Sequence, residues 1–500
     1  MSRFLISRIL KWLAFAVLGA TMLTGLALVA LEVSRSLPPH RYHPLGIYYE
    51  AIGLPVHPFL PVEGDRQVSL EVWSADWPVR RSQELSYAES IRNIVYELQR
   101  AYPGVSMKYR LFPLEEDLPS RVLESIKTSE LPDIYIGPFT PDLLAGQRSI
   151  ALTAFWGRNA RPTCDTIALA YVTMDRDVWA WPIWIEIPGL VGNKTLLGKL
   201  GADIAGILTA GWTWEEFIQL ARKASAMSGA AAARGQENGG RGSDGIYGLV
   251  INEGDPTWFE YLLSARSPAM LVKGDGTPGL DRQGLLDVAG FLEELRKDHI
   301  VPPPEMRASH RMLELFWQGK AMTIGPAWPG LVRHARERSI KSPSGPVRPV
   351  LLPFPRHPAS PYSVPVRVYA GYIYRQLADD WRERARLAAD ALARIAHDAN
   401  TIWLMARLGV VPADLGERYY WQDEARLSYE ENAFIAYSTR VPATPAATRC
   451  QRELYNKMLA GVITPALREF WDGRISREQL MEMIERGARD LLYPCDNASH

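Results

Sequence analysis

The chain has 500 residues, more than one compact hydrophobic core normally supports, and this length predicts two or three lobes. Lysine plus arginine and aspartate plus glutamate both number 56, so the net charge is zero and the basic excess of a nucleic-acid-binding protein is absent. Sixteen Trp and 21 Tyr provide flat aromatic faces that suit sugar rings, although any one of them can equally fill a core.

An uncharged stretch of 20 residues, 12–31, lies near the N-terminus. It is long enough to cross a hydrocarbon core of about 30 Å. Arg3, Arg8 and Lys11 precede it, so the positive-inside rule predicts a cytoplasmic N-terminus and an extracytoplasmic position for the rest of the chain. A cleaved signal peptide is the alternative, although its apolar core is normally shorter, about 7–15 residues. The sequence favours a single-pass cell-membrane anchor followed by a proline-rich spacer at 36–66.

Three cysteines are present, Cys164, Cys450 and Cys495, and they form no CxxC pair or Cys/His cluster. A structural zinc site is therefore not expected, and no other metal or cofactor is predicted. Cys450 and Cys495 share the C-terminal region and are candidates for a disulfide in an exported domain, with two unpaired thiols as the alternative.

Strands and helices alternate from residue 67 onward. Strands are predicted at 68–75 (VSLEVWSA), at 105–112 (VSMKYRLF) and in the largely apolar segment 131–139. Apolar residues at helical spacing predict a helix at 86–103, and a second helix is predicted at 118–129. This order favours a parallel sheet covered by helices, in which ligands bind beyond the carboxyl ends of the strands.

A second α/β unit follows the first. Thr213 is predicted to cap a helix, because Glu216 stands three residues later as in a capping box. The predicted elements are helices at 212–227, 281–298 and 308–319, strands at 246–253, 320–328, 347–355 and 363–375, and then helices at 377–408, 446–471 and 476–492.

Six sequence segments follow one another in a distinctive order. They are LEVWSADW (70–77), LPDIYIG (131–137), WAWPIWIE (179–186) with Asn193-Lys194, WTWEEF (212–217), FWQGKAMTIGPAW (316–328) and FWDGRISREQLMEMIERGARDLL (470–492). In this order they resemble the maltose-binding-like group of ABC-transporter extracellular solute-binding proteins, and together they span about 85% of the chain. The most specific match is 316–328, a helix, a Gly-Lys turn, a strand and a tryptophan.

Two features depart from the family pattern. Neither a lipid anchor nor a cleavable signal is evident, and Gly192 stands where the family usually has a tyrosine before Asn193. The first departure suggests a membrane-tethered variant, and the second makes the local match loose.

The resemblance implies a two-lobed, periplasmic-binding-protein-like (type II) α/β fold with hinge crossovers, in addition to the N-terminal transmembrane helix. Closure of the two lobes would bury a ligand between them. The expected division is residues 1–35 for the cytoplasmic tip and anchor, 36–66 for the spacer, 67–184 with 368–410 for lobe one, and 185–367 with 411–500 for lobe two.

Candidate ligand-binding residues combine stacking faces with a few polar groups. The end of the first strand and the loop after it carry Trp73, Asp76 and Trp77. Asp76 is alternatively a solvated loop acid that contacts no ligand. Thr140 occupies a position that often faces ligand in the family, and capping the next helix is its alternative. Glu186 matches a family acid that hydrogen-bonds sugar, with a hinge ion pair as its alternative.

The remaining candidates lie farther along the chain. Asp255 and Trp258 follow the strand at 246–253, and Trp328 matches the stacking tryptophan of the family. Tyr369 and Tyr372 flank Gly371 at the second crossover, where core packing is equally compatible with the sequence.

No catalytic signature is found, neither GxSxG, HExxH, Walker A nor a Rossmann fingerprint, so an enzyme is not expected. The resemblance implies a monomeric solute-binding component of an ABC importer that captures a small ligand, most readily a carbohydrate, and docks on the permease subunits. A tethered sensor or accessory carbohydrate-binding protein is the alternative, and a surface hydrolase is a less favoured one.

Overall fold

The computed structural model describes most of the region after the spacer. The described ranges are 67–77, 102–113, 116–128, 130–155, 163–232, 245–251, 257–266, 279–303, 309–327, 347–360, 366–377, 381–439 and 448–491, together with residues 92, 94–96, 99, 100, 271 and 332.

The described residues contain twelve strands, in two main sheets and one short hairpin. They are β1 (Val68–Ala75), β2 (Val105–Phe112), β3 (Ile134–Pro138), β4 (Thr173–Met174), β5 (Asp177–Val178), β6 (Trp181–Glu186), β7 (Gly189–Asn193), β8 (Tyr247–Ile251), β9 (Ala321–Ala327), β10 (Pro349–Leu352), β11 (Arg367–Ile373) and β12 (Val411–Pro412).

Fifteen α-helices are present in the part of the chain that the structure describes. They are α1 (Leu118–Ser125), α2 (Thr166–Val172), α3 (Lys194–Lys199), α4 (Ile204–Ala210), α5 (Trp214–Ala232), α6 (Thr257–Arg266), α7 (Arg282–Lys297), α8 (Ser309–Trp317), α9 (Trp381–His397), α10 (Ala399–Leu408), α11 (Arg418–Ala425), α12 (Tyr429–Ser438), α13 (Arg449–Met458), α14 (Thr464–Trp471) and α15 (Arg477–Asp490). A 3₁₀ helix (Pro141–Gln147) and a π-helical turn (Leu459–Ile463) complete the set.

Lobe one is built on a six-stranded mixed sheet in the order β12-β6-β11-β3-β1-β2. β1 pairs in parallel with β2 and β3, whereas β11 runs antiparallel to β3 and β6. Helix α9 packs on this sheet through Leu387, Ala391 and Leu392, which are fully buried. Gly371 of β11 lies under this helix, where a Cβ atom would stand 2.2 Å from the Leu392 Cδ1 atom. The close approach of helix and sheet explains the glycine.

Lobe two is built on a four-stranded sheet in the order β10-β7-β9-β8. The predicted capping box of α5 is confirmed, because the Glu216 amide donates to Thr213 Oγ1 and the Thr213 amide donates to Glu216 Oε2. Gly192 of β7 has no space for a larger side chain, since a Cβ atom would stand 2.7 Å from methyl carbons of both Leu197 and Leu352. Packing between β7 and its neighbours therefore accounts for the missing tyrosine.

Among the described elements, the chain passes between the lobes at three places. β6 leads to β7 through two residues, a second connection leads from β10 to β11, and a third follows α11. In the first sheet, β6 ends at Glu186 and β11 begins at Arg367. Lobe one therefore extends two residues beyond the predicted boundary at 184 and begins again one residue before the predicted boundary at 368. The segment 411–412, predicted to belong to lobe two, forms the edge strand β12 of lobe one, where Val411 pairs with Ile185.

Several predicted elements differ from the observed ones. The helix predicted at 377–408 is two helices, because Asp398 interrupts it and caps α10 by accepting from the Asn400 amide. The helix predicted at 446–471 is divided by the π-helical turn. Helices α2, α3, α4, α6, α11 and α12 were not predicted, and most of the helix predicted at 86–103 lies outside the described residues.

Among the described residues, no helix is both long enough and apolar enough to cross a membrane. The stretch 12–31 lies outside those residues, so its membrane anchor stays a prediction.

Candidate functional site

One edge of the first sheet carries several candidate residues. The carboxyl ends of the parallel strands β1 and β3 meet there with the start of β11 and the end of β6, because the antiparallel register places Tyr369 opposite Pro138 and Arg367 opposite Glu186. Since β7 begins only two residues after β6 ends, this edge faces the connection to lobe two. We call it the crossover edge.

Three aromatic side chains at the crossover edge form one cluster: Trp77, Trp184 and Tyr369. The rings of Trp184 and Tyr369 stack face to face, with centroids 4.4 Å apart and planes 11° apart. Trp77 packs edge-on against both, at 6.0 Å from Trp184 and 5.7 Å from Tyr369. Trp184 is 1% exposed and supports the other two, which are only partly buried. Trp184 was not predicted as a site residue, because a tryptophan within a continuous apolar strand is expected to lie in the core.

The indole N–H groups of Trp77 and Trp184 are buried and lack an acceptor among the described residues. A buried donor without a partner costs about 1–3 kcal/mol, so such groups in a native protein call for an explanation. At a ligand edge, an oxygen atom of the ligand is one group able to accept from Trp77.

Two acidic candidates stand beside the aromatic cluster. Asp76 is exposed directly after β1, and its amide donates to the Phe112 carbonyl. Glu186 ends β6 and is partly buried, with Arg367 opposite it on β11. The edge therefore combines aromatic faces with carboxylates, a mixture of apolar and polar groups typical of small-molecule sites.

Thr140 adopts the capping role that was its alternative. Its Oγ1 atom accepts from the Asp142 amide at the start of the 3₁₀ helix, and its own amide donates to the Tyr372 hydroxyl. Tyr372 is completely buried, stacks on Phe139 at 5.6 Å, and is part of the core rather than of an accessible surface. Burial raises the pKa of the Tyr372 hydroxyl well above its usual value. The prediction that Tyr372 faces a ligand is therefore not supported in this conformation.

Trp73 also differs from its prediction. It is 2% exposed, packs against Phe112 at 5.2 Å, and lies beneath the guanidinium groups of Arg110 and Arg121. Its indole N–H donates to Glu71. The ring of Trp73 and its indole N–H are thus occupied by contacts within the protein. Trp73 lies inside β1, two residues before its end.

In lobe two, the carboxyl ends of β8 and β9 lie side by side, since Ile251 pairs with Gly325 and Ala327 pairs with Gly189 at the start of β7. Asp255 and Trp328 follow these ends but lie outside the described residues, so their roles stay predictions. Trp258 is 3% exposed and packs against Phe354 at 6.0 Å, which places it in the core of lobe two.

A buried polar bridge between the lobes was not predicted. The Arg452 guanidinium of α13 donates to the carbonyls of Ala170 and Thr173 in lobe one. On the same helix, the Tyr455 hydroxyl donates to Glu260 of α6 in lobe two. The sequence offers no signal for this bridge, because it joins residues nearly 200 or more positions apart in the chain.

Cys450 is disulfide-bonded, and Cys495, its expected partner, lies outside the described residues, so the pairing itself stays a prediction. Cys164 is a free, buried thiol. No group of three or more potential metal ligands occurs within the described ranges.

Two α/β lobes joined by crossovers also make up the fold of solved two-lobed solute-binding proteins. The chain has the fold of the maltose- and oligosaccharide-binding members of that class. Maltose-bound MalE3 of T. maritima is 17% identical, with a TM-score of 0.61 over 85% of this chain and 100% of that one. The acarbose-binding GacH receptor of Streptomyces glaucescens is 14% identical, with a TM-score of 0.63 over 85% and 98%.

A third similar structure is the maltose/maltodextrin-binding domain MalE from Bdellovibrio bacteriovorus bound to maltotriose, which is 17% identical with a TM-score of 0.60 over 85% of this chain and 99% of that one. No protein-family model matches the sequence, and no curated protein matches it. At these identities the likeness establishes the fold.

Proposed function

We propose that this protein is the solute-binding component of an ABC importer and captures a small carbohydrate between its lobes. The observation that carries the proposal is the aromatic cluster at the crossover edge, with Asp76 and Glu186 beside it. Aromatic faces cover the apolar side of a sugar ring, while carboxylates accept hydrogen bonds from its hydroxyl groups. The solved neighbours that bind maltose, maltotriose and acarbose support this ligand class.

The proposed mechanism is non-covalent capture. A sugar ring stacks on the partly exposed faces of Trp77 and Tyr369, and the buried Trp184 fixes the position of both rings. Asp76 and Glu186 then orient the hydroxyl groups. Rotation of the lobes about the crossovers buries the ligand and forms the surface that docks on the permease. Binding, rather than catalysis, is the role we propose.

Replacing Trp77 by alanine is expected to weaken maltotriose binding roughly 10- to 100-fold, because a large apolar face is lost from the site. Isothermal titration calorimetry on the full-length chain measures this effect. The detergent must have no sugar headgroup, since an alkyl maltoside would compete for the site. Trp381→Ala is the matched control, because Trp381 is a half-buried tryptophan that packs on Arg375 beyond the opposite end of β11.

Equal affinities of the wild type and Trp77→Ala for maltotriose would contradict this site. If no maltose-type sugar binds to the wild type at all, the ligand class is wrong. Conversion of maltotriose to shorter sugars during incubation, detected by chromatography, would favour the hydrolase alternative. Binding without stimulation of a co-reconstituted permease ATPase would favour the tethered sensor.

We also propose that residues 12–31 remain in the mature protein as a single-pass anchor, with the bulk of the chain outside the cell. The uncharged length and the preceding basic residues support this topology. Intact-mass measurement of the protein purified from membranes is expected to give the mass of the uncleaved chain. A mass that corresponds to loss of the N-terminal segment would indicate a cleaved signal peptide instead.

A further inference from the structure

Lobe one contains a pocket of about 430 Å³ that is separate from the crossover edge. It opens beside Trp181 at the start of β6, whereas the crossover edge lies at Glu186, the other end of the same strand. Five residues of extended chain correspond to about 16 Å. Its lining residues lie on β6, α9, α10 and β12 and in the segments beside them, which pack on the first sheet, so closure of the two lobes does not form it.

The floor of the pocket is apolar. Trp181 and Ile183 project from one face of β6, and Ala396 of α9 and Met405 of α10 cover them. The pocket is partly open to solvent, so it is a cleft rather than a packing gap inside the core. Its volume falls within the range of small-molecule sites, about 300–1,000 Å³.

The mouth of the pocket is acidic. His397 Nδ1 lies 3.4 Å from Glu417 Oε1 and 3.9 Å from Asp414 Oδ2, and each carboxylate side chain is 22% exposed. The Gly416 amide occupies only the Oδ1 atom of Asp414. Among the described residues, neither carboxylate forms a salt bridge with a lysine or an arginine.

His397 lies beside both carboxylates and, when protonated, offsets one of the two negative charges. Arg418 is the nearest arginine along the chain, and it pairs with Asp165 at 2.5 Å, so that pair is neutral overall. Cys164 also lines the pocket, but burial raises the pKa of its thiol to about 12, and it remains neutral at physiological pH. The mouth therefore carries an excess of negative charge above an aromatic and aliphatic floor.

We propose that this pocket is a second binding site, for a small organic cation with an apolar body. The body fills the space between Trp181 and Met405, and a protonated amine pairs with Asp414 and Glu417 beside the His397 ring. The ring of Trp181 adds a favourable face for the cation. A bare metal ion fits less well, because no cluster of three or more potential metal ligands is present in the described part of the chain.

Saturation-transfer NMR with phenethylammonium as the probe tests this proposal on the full-length protein. We expect phenethylammonium to bind and 2-phenylethanol, which has the same body without the charge, to bind much more weakly. Excess maltotriose should not displace the probe, because the two sites are separate. Maltotriose binding also reports on the proposed function independently.

The double variant Asp414→Asn/Glu417→Gln is expected to weaken phenethylammonium binding roughly 10-fold or more, since charge-assisted contacts are lost, and to leave maltotriose binding unchanged. It should fold normally, because an asparagine side-chain oxygen at position 414 can still accept from Gly416 and Glu417 makes no capping bond to α11. Asp423→Asn/Glu424→Gln is the matched control, with the same change of charge on the exposed face of α11.

Three results would overturn the second site. They are no binding of phenethylammonium to the wild type at millimolar concentration, equal binding of phenethylammonium and 2-phenylethanol, and equal loss of binding in both double variants. Displacement of the probe by maltotriose would place it at the crossover edge and would equally contradict the proposal.

Discussion

Replacing Arg384 by methionine is expected to lower the free energy of unfolding by about 3–5 kcal/mol, because it leaves a buried carboxylate without its cation. Asp133 precedes β3 and is 2% exposed. Arg384 of α9 donates to both of its oxygen atoms, at 3.1 Å and 2.8 Å, and also to the Ser69 carbonyl. The pair thus fastens α9 to the central strands of lobe one.

The loss of unfolding free energy in Arg384→Met should depend on pH. Burial raises the pKa of Asp133 above its usual value even beside Arg384, which acts to lower it. Without Arg384 the pKa of the folded protein rises further above that of the unfolded chain, so the folded state binds a proton more readily as the pH falls. The deficit relative to the wild type should therefore be greatest near neutral pH and smaller in mild acid.

Urea denaturation at both pH values measures these differences. The double variant Asp133→Asn/Arg384→Met should recover much of the lost stability, since no charge is left buried and the amide can still accept from Glu71. Arg486→Met, which breaks the exposed pair of Arg486 with Glu482, is the control and should cost no more than about 1 kcal/mol. A double variant no more stable than Arg384→Met would contradict the buried-charge explanation.

Replacing Arg452 by methionine is the second change with a large expected effect, a loss of about 3 kcal/mol or more in the free energy of unfolding. Arg452 is 7% exposed and donates to the carbonyls of Ala170, Tyr171 and Thr173. These are the carbonyls at the end of α2, which have no partner within that helix. Burial lowers the pKa of the Arg452 guanidinium to about 10, and it is still charged at neutral pH.

Hydrogen exchange provides the specific readout. In Arg452→Met, exchange should accelerate at the end of α2 and in α13, where the bridge between the lobes is released. Arg452→Lys should retain part of the stability, because an ammonium group supplies the charge but cannot reach three carbonyls in the same geometry. Arg449→Met, at a partly exposed arginine of the same helix, is the matched control. Unchanged exchange in α2 would contradict the capping role of Arg452.

Residue patterns predicted the alternating α/β class and many of the elements, whereas the two-lobed arrangement was implied by the family resemblance. The strands at 68–75 and 105–112 were predicted with their observed bounds, because each segment contains β-favouring residues and ends before Asp76 or Pro113, which favour turns. The capping box of α5 was likewise readable from Thr213 and Glu216 alone. These features depend on residues close together in the chain, so local physical chemistry decides them.

The tertiary structure alone decided which aromatic residues reach the ligand edge. Strands covered on both faces do not alternate in polarity, so Trp73, Trp184 and Tyr372 could not be assigned to core or site from their spacing. The edge strand β12 and the bridge made by Arg452 depend on partners far away in the chain. Contacts of that kind arise from the packing of whole elements, and no local pattern encodes them.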